Sequence, residues 1–91
     1  MRLHRSDDYR ADLTSIAEHI AQSNPAAALA MWDTIEEQVE RLVDHPRSGR
    51  PGRVPETREL VVAGTPYIVI YRIGRTVELL RIMHGARRWP P

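Results

Sequence analysis

His84 stands in a run of cationic neighbours, with Arg81 before it and Arg87 and Arg88 after it. An imidazole that titrates near neutral pH can protonate a leaving oxygen, and guanidinium groups can neutralise a phosphorane. Metal-free RNA cleavage needs both, together with a group that activates the 2′-hydroxyl. His84, Arg81 and Arg87 are therefore the catalytic candidates if the chain is a nuclease. A plainer reading lets His84 close the end of a strand and hydrogen-bond to backbone. Arg81 lies inside Leu79-Leu80-Arg81-Ile82, an apolar run, so its charge must reach an open face or pair with an acid such as Glu59 or Glu78.

The same region also reads as a surface for a macromolecular partner. Arg58, Arg81, His84, Arg87, Arg88 and Trp89 are the candidate contacts for such a partner. Trp89 can stack on a base, anchor in a protein pocket or fold back onto a small core. Arg58 with Glu59 can equally be a rim ion pair of little energetic value. Arg47, Arg50 and Arg53 read as a solvated loop. His4, His19 and His45 have no metal-ligand spacing, there is no cysteine, and neither a phosphate-cradling glycine loop nor a serine nucleophile elbow occurs. No metal and no cofactor is called for.

Those side chains must be carried by one small domain spanning residues 1–91, since this length leaves no room for a second. A core of that size without disulfides often leans on a partner. Nothing resembles a secretion signal or an apolar span, so the expected location is the cytoplasm, away from membranes. The net charge of +1 hides an asymmetry. Residues 1–44 carry four arginines against nine acids, and residues 45–91 carry nine arginines against three acids. All thirteen basic residues are arginine, whose planar fork suits phosphate or carboxylate. The basic half therefore suits nucleic acid or an acidic protein surface.

The elements follow from periodicity. Residues 2–5 form a short strand. Ser6 or Asp7 caps a helix that carries Tyr9, Leu13, Ile16, Ala17 and Ile20 on one face and runs to about Ser23. Asn24-Pro25 starts a second helix, with Ala28, Met31, Trp32, Ile35, Val39, Leu42 and Val43 inward and Glu36, Glu37 and Glu40 toward water. Prolines and glycines between His45 and Pro55 forbid a regular element there. Three β-rich runs follow, from Arg58, from Tyr67 and from Val77, joined at Gly64-Thr65-Pro66 and at Gly74-Arg75. The expected fold is α+β: an N-terminal strand and an antiparallel two-helix hairpin packed on one face of a small twisted antiparallel sheet, in the order β-α-α-β-β-β.

Four segments in this order carry a family resemblance: His45-Pro46-Arg47-Ser48-Gly49-Arg50, Arg58-Glu59-Leu60-Val61, Tyr67-Ile68-Val69-Ile70-Tyr71-Arg72-Ile73, and Val77 through Arg88. Together they resemble the RelE/ParE superfamily of toxins from type II toxin–antitoxin systems. The resemblance implies growth arrest by this chain unless a cognate antitoxin covers it, often a ribbon-helix-helix, ParD-like protein, in a hetero-oligomer. It also implies one of two targets. RelE-like members cut messenger RNA on the ribosome without a metal. ParE-like members, associated with plasmid stabilisation, poison DNA gyrase by trapping its cleaved DNA complex.

Residue 68 separates the two branches. RelE-like nucleases place an arginine inside a strand that reads Tyr-Arg-Leu-Val-Tyr, and the matching stretch here has Ile68. Isoleucine cannot neutralise a phosphate. The last two strands also look more like the ParE branch. The favoured expectation is a ParE-like gyrase poison, which is not itself an enzyme; a ribosome-dependent endoribonuclease is the alternative, and a non-toxic interaction module is a third.

Overall fold

At Ser6 the chain changes from strand to helix. The Ser6 hydroxyl accepts the Tyr9 N–H at 3.0 Å and donates to the Leu80 carbonyl at 3.0 Å. One side chain thus caps a helix and fastens it to the last strand. In the computed structural model, which describes residues 1–85, the strand before Ser6 is β1 (Leu3–Arg5) and the helix after it is α1 (Asp7–Ala21). Asp7 and Asp8 lie in the first turn, where the helix dipole favours negative charge. α1 stops two residues before the expected Ser23 because the Ser23 and Asn24 amides both turn back to the Ile20 carbonyl.

Asn24 then caps α2 (Pro25–Glu40), accepting the Ala27 N–H at 3.0 Å, with Pro25 in the first turn. A short 3-10 turn, Arg41–Val43, finishes the hairpin. Beyond it come β2 (Arg50–Pro51), β3 (Arg58–Val61), β4 (Tyr67–Ile73) and β5 (Val77–His84). The order β-α-α-β-β-β holds, with two additions. β2 is a two-residue strand inside the proline- and glycine-rich stretch expected to hold no regular element. Proline can occupy it because β2 is an edge strand. The sheet is also mixed: in the order β1-β5-β4-β3-β2, β1 runs parallel to β5 and the remaining pairs are antiparallel. The parallel pair is joined by all the chain between, both helices and the three strands β2, β3 and β4, which is ample for a return in the parallel sense.

Both helices cover one face of the sheet. Tyr9 and Leu13 of α1 and Ile35 and Val39 of α2, with Leu42 beyond, meet Val69, Tyr71, Val77, Leu79 and Ile82 in one core. Each such side chain contributes about 1.5–3 kcal/mol on burial. Trp32, expected on the inward stripe of α2, is 38% exposed. Glu36, expected to face water, instead receives Arg5 through Nε at 3.2 Å and Nη2 at 2.7 Å, tying α2 to β1.

A β-bulge sets the direction of Arg81. Strict alternation from Val77 and Leu79, both buried under the helices, would drive Arg81 into the core. The ladder shifts between Ile70 and Tyr71, so that Ile70 faces Arg81 and Tyr71 faces Leu79, leaving Leu80 as the extra residue. The bulge returns Ile82 to the core and turns Arg81 away from it.

Candidate functional site

Arg81 meets an acid absent from the sequence-based expectation. Its Nε donates to Asp12 Oδ2 at 2.8 Å and its Nη2 to Asp12 Oδ1 at 3.2 Å. The same carboxylate accepts the Ile82 N–H at 2.9 Å. β1 pairs with β5 only from Val77 to Leu79, so Asp12 on α1 takes over the edge of β5 where β1 has ended. The partner is thus neither Glu59 nor Glu78. The hydrogen bond to Asp12, opposed by some burial, raises the affinity of Arg81 for its proton. Sequence offers a weak signal for Asp12, an acid beside the apolar stripe of α1, but pairing it with a strand residue 69 positions away requires the tertiary register.

Past Arg81, α1 and the end of the sheet diverge and leave an open groove of about 670 Å³. Ile16, Tyr67 and Ile82 give it an apolar lining, while Asp12, Ser15, His19 and His84 supply polar groups. His84 is exposed and meets Tyr67 edge to face, with ring centroids 5.8 Å apart. Arg81 and His84 therefore fall in the same part of the molecule. Arg87, Arg88 and Trp89 lie outside the described residues.

On the sheet face opposite the helices, Val61 pairs with Ile68 and Ile68 with Met83. These three aliphatic side chains form a row across β3, β4 and β5, in which Val61 is 51% exposed. Ile68 is thus set in an apolar surface.

Arg58 is used differently from a rim ion pair. Its Nη1 donates to the Gly49 carbonyl at 2.8 Å and to the Arg47 carbonyl at 3.3 Å, bracing the loop that precedes β2. The acid beside it, Glu59, is only 3% exposed. Arg50 donates to its carboxylate through Nε at 3.2 Å and Nη2 at 2.9 Å, and the Arg53 backbone N–H adds a third bond at 3.0 Å. Burial alone would raise the Glu59 pKa, but these donors outweigh it and hold the carboxyl below its ordinary value. Tyr71 Oη completes the fastening: it accepts the Gly49 N–H at 2.9 Å and donates to the Pro46 carbonyl at 2.6 Å. A Cβ on Gly49 would lie 2.5 Å from that oxygen, so only glycine fits. Sequence alone left Arg47, Arg50 and Arg53 as solvated and did not identify Glu59 or Tyr71 as the groups that order them.

Among the described residues no group of three side chains is placed to hold a metal ion, and no helix is long and apolar enough to cross a membrane.

Comparison with known proteins agrees with this architecture. Residues 3–89 match the model of the ParE toxin of the type II toxin–antitoxin system parDE. The Y4kP protein of Sinorhizobium fredii is 46% identical over 78 residues, covering 86% of this chain and 81% of that protein. Toxin RelE2 of Caulobacter vibrioides is 37% identical over 78 residues, covering 85% and 86% respectively. A solved chain of the chromosomal ParDE toxin–antitoxin system of P. aeruginosa superposes with a TM-score of 0.84 at 33% identity, covering 92% of this chain and 95% of that one.

Proposed function

The chain belongs to the ParE toxin family of type II toxin–antitoxin systems, and from that membership we propose that it poisons DNA gyrase and is neutralised by a cognate, ParD-like antitoxin. The observation that carries the choice of target is the state of Arg81. A nuclease needs cations free to meet a phosphorane. Arg81 instead spends two donors on Asp12, and Ile68 lies in an apolar row with Val61 and Met83. Such surfaces suit docking on a protein better than stabilising a pentavalent phosphate.

The antitoxin segment lies over the helix hairpin and reaches the sheet. The groove between α1 and the ends of β4 and β5 offers its apolar anchors a seat on Ile16, Tyr67 and Ile82. Carboxylates of the same segment meet the arginines nearby. The toxin acts in the cytoplasm, where gyrase and the nascent antitoxin both are.

One observation favours a second reading. His84 is exposed at the groove, within the same region as Arg81, where an imidazole could serve a ribosome-dependent endoribonuclease as general acid. Inducing the chain without its antitoxin separates these. Gyrase poisoning yields double-strand breaks and intact transcripts at the onset of arrest. Codon-phased cuts in messenger RNA before any DNA damage would replace the gyrase reading with the nuclease one, and normal growth would reject both.

A further inference from the structure

We propose that the loop over residues 46–58 is a preformed binding surface for the phosphodiester backbone of nucleic acid. It carries Arg47, Arg50, Arg53 and Arg58 against a single acid of its own, Glu56. Gathering four like charges on one short loop is unfavourable, and disorder would relieve the repulsion. The loop is instead held from several directions. Tyr71 clamps Pro46 and Gly49, Arg58 braces two carbonyls, and buried Glu59 collects Arg50 and the Arg53 backbone. Gly52 packs so closely on Thr57 that a side chain has no room.

Glu59 offsets about one of these charges. Arg50 uses Nε and Nη2 on it, while Arg53 Nε stands 3.9 Å away. Arg47 is exposed and has no ion pair among the described residues. The backbone of the loop and the guanidiniums of Arg50 and Arg58 are therefore held in place, and the exposed side chains of Arg47 and Arg53 project from a fixed carrier. Donors fixed in advance lose little entropy on binding, and the planar fork matches phosphate oxygens.

Phosphate suits this loop better than an acidic protein. Protein hot spots combine arginine with aromatic anchors in desolvated pockets, and residues 46–58 contain arginines but no aromatic side chain. The exposed residues here are arginines, prolines, Ser48 and Glu56, and the one aliphatic side chain, Val54, is half-buried. The loop also contains β2, at the opposite edge of the sheet from β1, whereas the groove is built on α1, β4 and β5. A partner seated in the groove leaves the loop accessible. The inference stands apart from the gyrase reading, because it concerns nucleic acid without any enzyme present.

The test is fluorescence anisotropy of the purified full chain with a duplex DNA of about 20 base pairs and with an RNA hairpin, from about 50 to 200 mM salt. The chain binds at low salt and weakens steeply as salt rises. Arg47→Ala with Arg53→Ala lowers affinity about tenfold and makes the logarithmic salt slope shallower by about 2. Arg72→Ala with Arg75→Ala, the same change in net charge on the β4–β5 hairpin, stays within about twofold of the parent. Preference for DNA or for RNA identifies the source of the phosphate. Equal losses in both double variants, unaltered binding by the Arg47/Arg53 variant, or displacement of nucleic acid by polyglutamate at matched charge would overturn the proposal. Thermal unfolding of each variant verifies that the fold is intact, which the exposure of Arg47 and Arg53 favours.

Discussion

Asp12 and Arg81 form a bidentate ion pair that joins the first helix to the last strand. The same carboxylate closes the Ile82 N–H that β1, ending at Arg5, does not reach. Asp12→Ala removes three bonds at once. Arg81 is partly exposed and can rehydrate, so the expected loss is about 2 kcal/mol rather than the sum of three charged bonds. Urea unfolding should record it, with the midpoint of thermal unfolding lower by about 10 °C.

Tyr9 is fully buried, and its hydroxyl has no hydrogen-bond partner among the described residues. Burial pushes its pKa up, so it stays neutral. Tyr9→Phe deletes an unsatisfied polar atom while keeping the ring. Stability should stay constant or rise by up to about 1 kcal/mol. A clear loss in chemical denaturation would mean that the hydroxyl has a partner in solution.

Glu59 gives a pH signature. Its folded pKa is depressed, so its contribution to stability is complete above the ordinary carboxylate value of about 4.3 and disappears as pH falls through the lower folded value. Stability should therefore fall on acidification through that window. Glu59→Gln should cost about 2 kcal/mol at neutral pH and flatten that part of the profile. An unchanged profile in the variant would assign the acid sensitivity to other carboxylates.

Much of this fold was legible in the sequence. The Asn24-Pro25 signal started α2 where expected, and runs of β-branched and aromatic residues marked three strands. Two local patterns misled or fell silent. Alternation cannot register a bulge, so nothing in Leu79-Leu80-Arg81-Ile82 announced that Leu80 would be the extra residue. Proline and glycine counts mark a turn-rich loop but not its order. That order comes from Tyr71 and Glu59 on neighbouring strands, contacts 22 and 9 residues distant in sequence. The site was legible in part: Arg81 and His84 do lie in one region. Asp12 was missed because a surface acid on a helix acquires meaning only when its partner across the fold is known.

His84→Ala tests the catalytic reading in cells. With gyrase as target, growth arrest should persist at matched expression. Loss of arrest accompanied by loss of transcript cleavage would reassign His84 as a general acid, because a packing defect alone would also lower the yield of folded protein.

The most direct measurement is ATP-dependent supercoiling of relaxed plasmid by purified gyrase, with the purified chain titrated in and DNA breaks scored after detergent treatment. A gyrase poison depletes supercoiled product and accumulates linear DNA near stoichiometric toxin, and the cognate antitoxin reverses both. Undiminished supercoiling with no linear DNA at large molar excess of folded toxin would contradict the account.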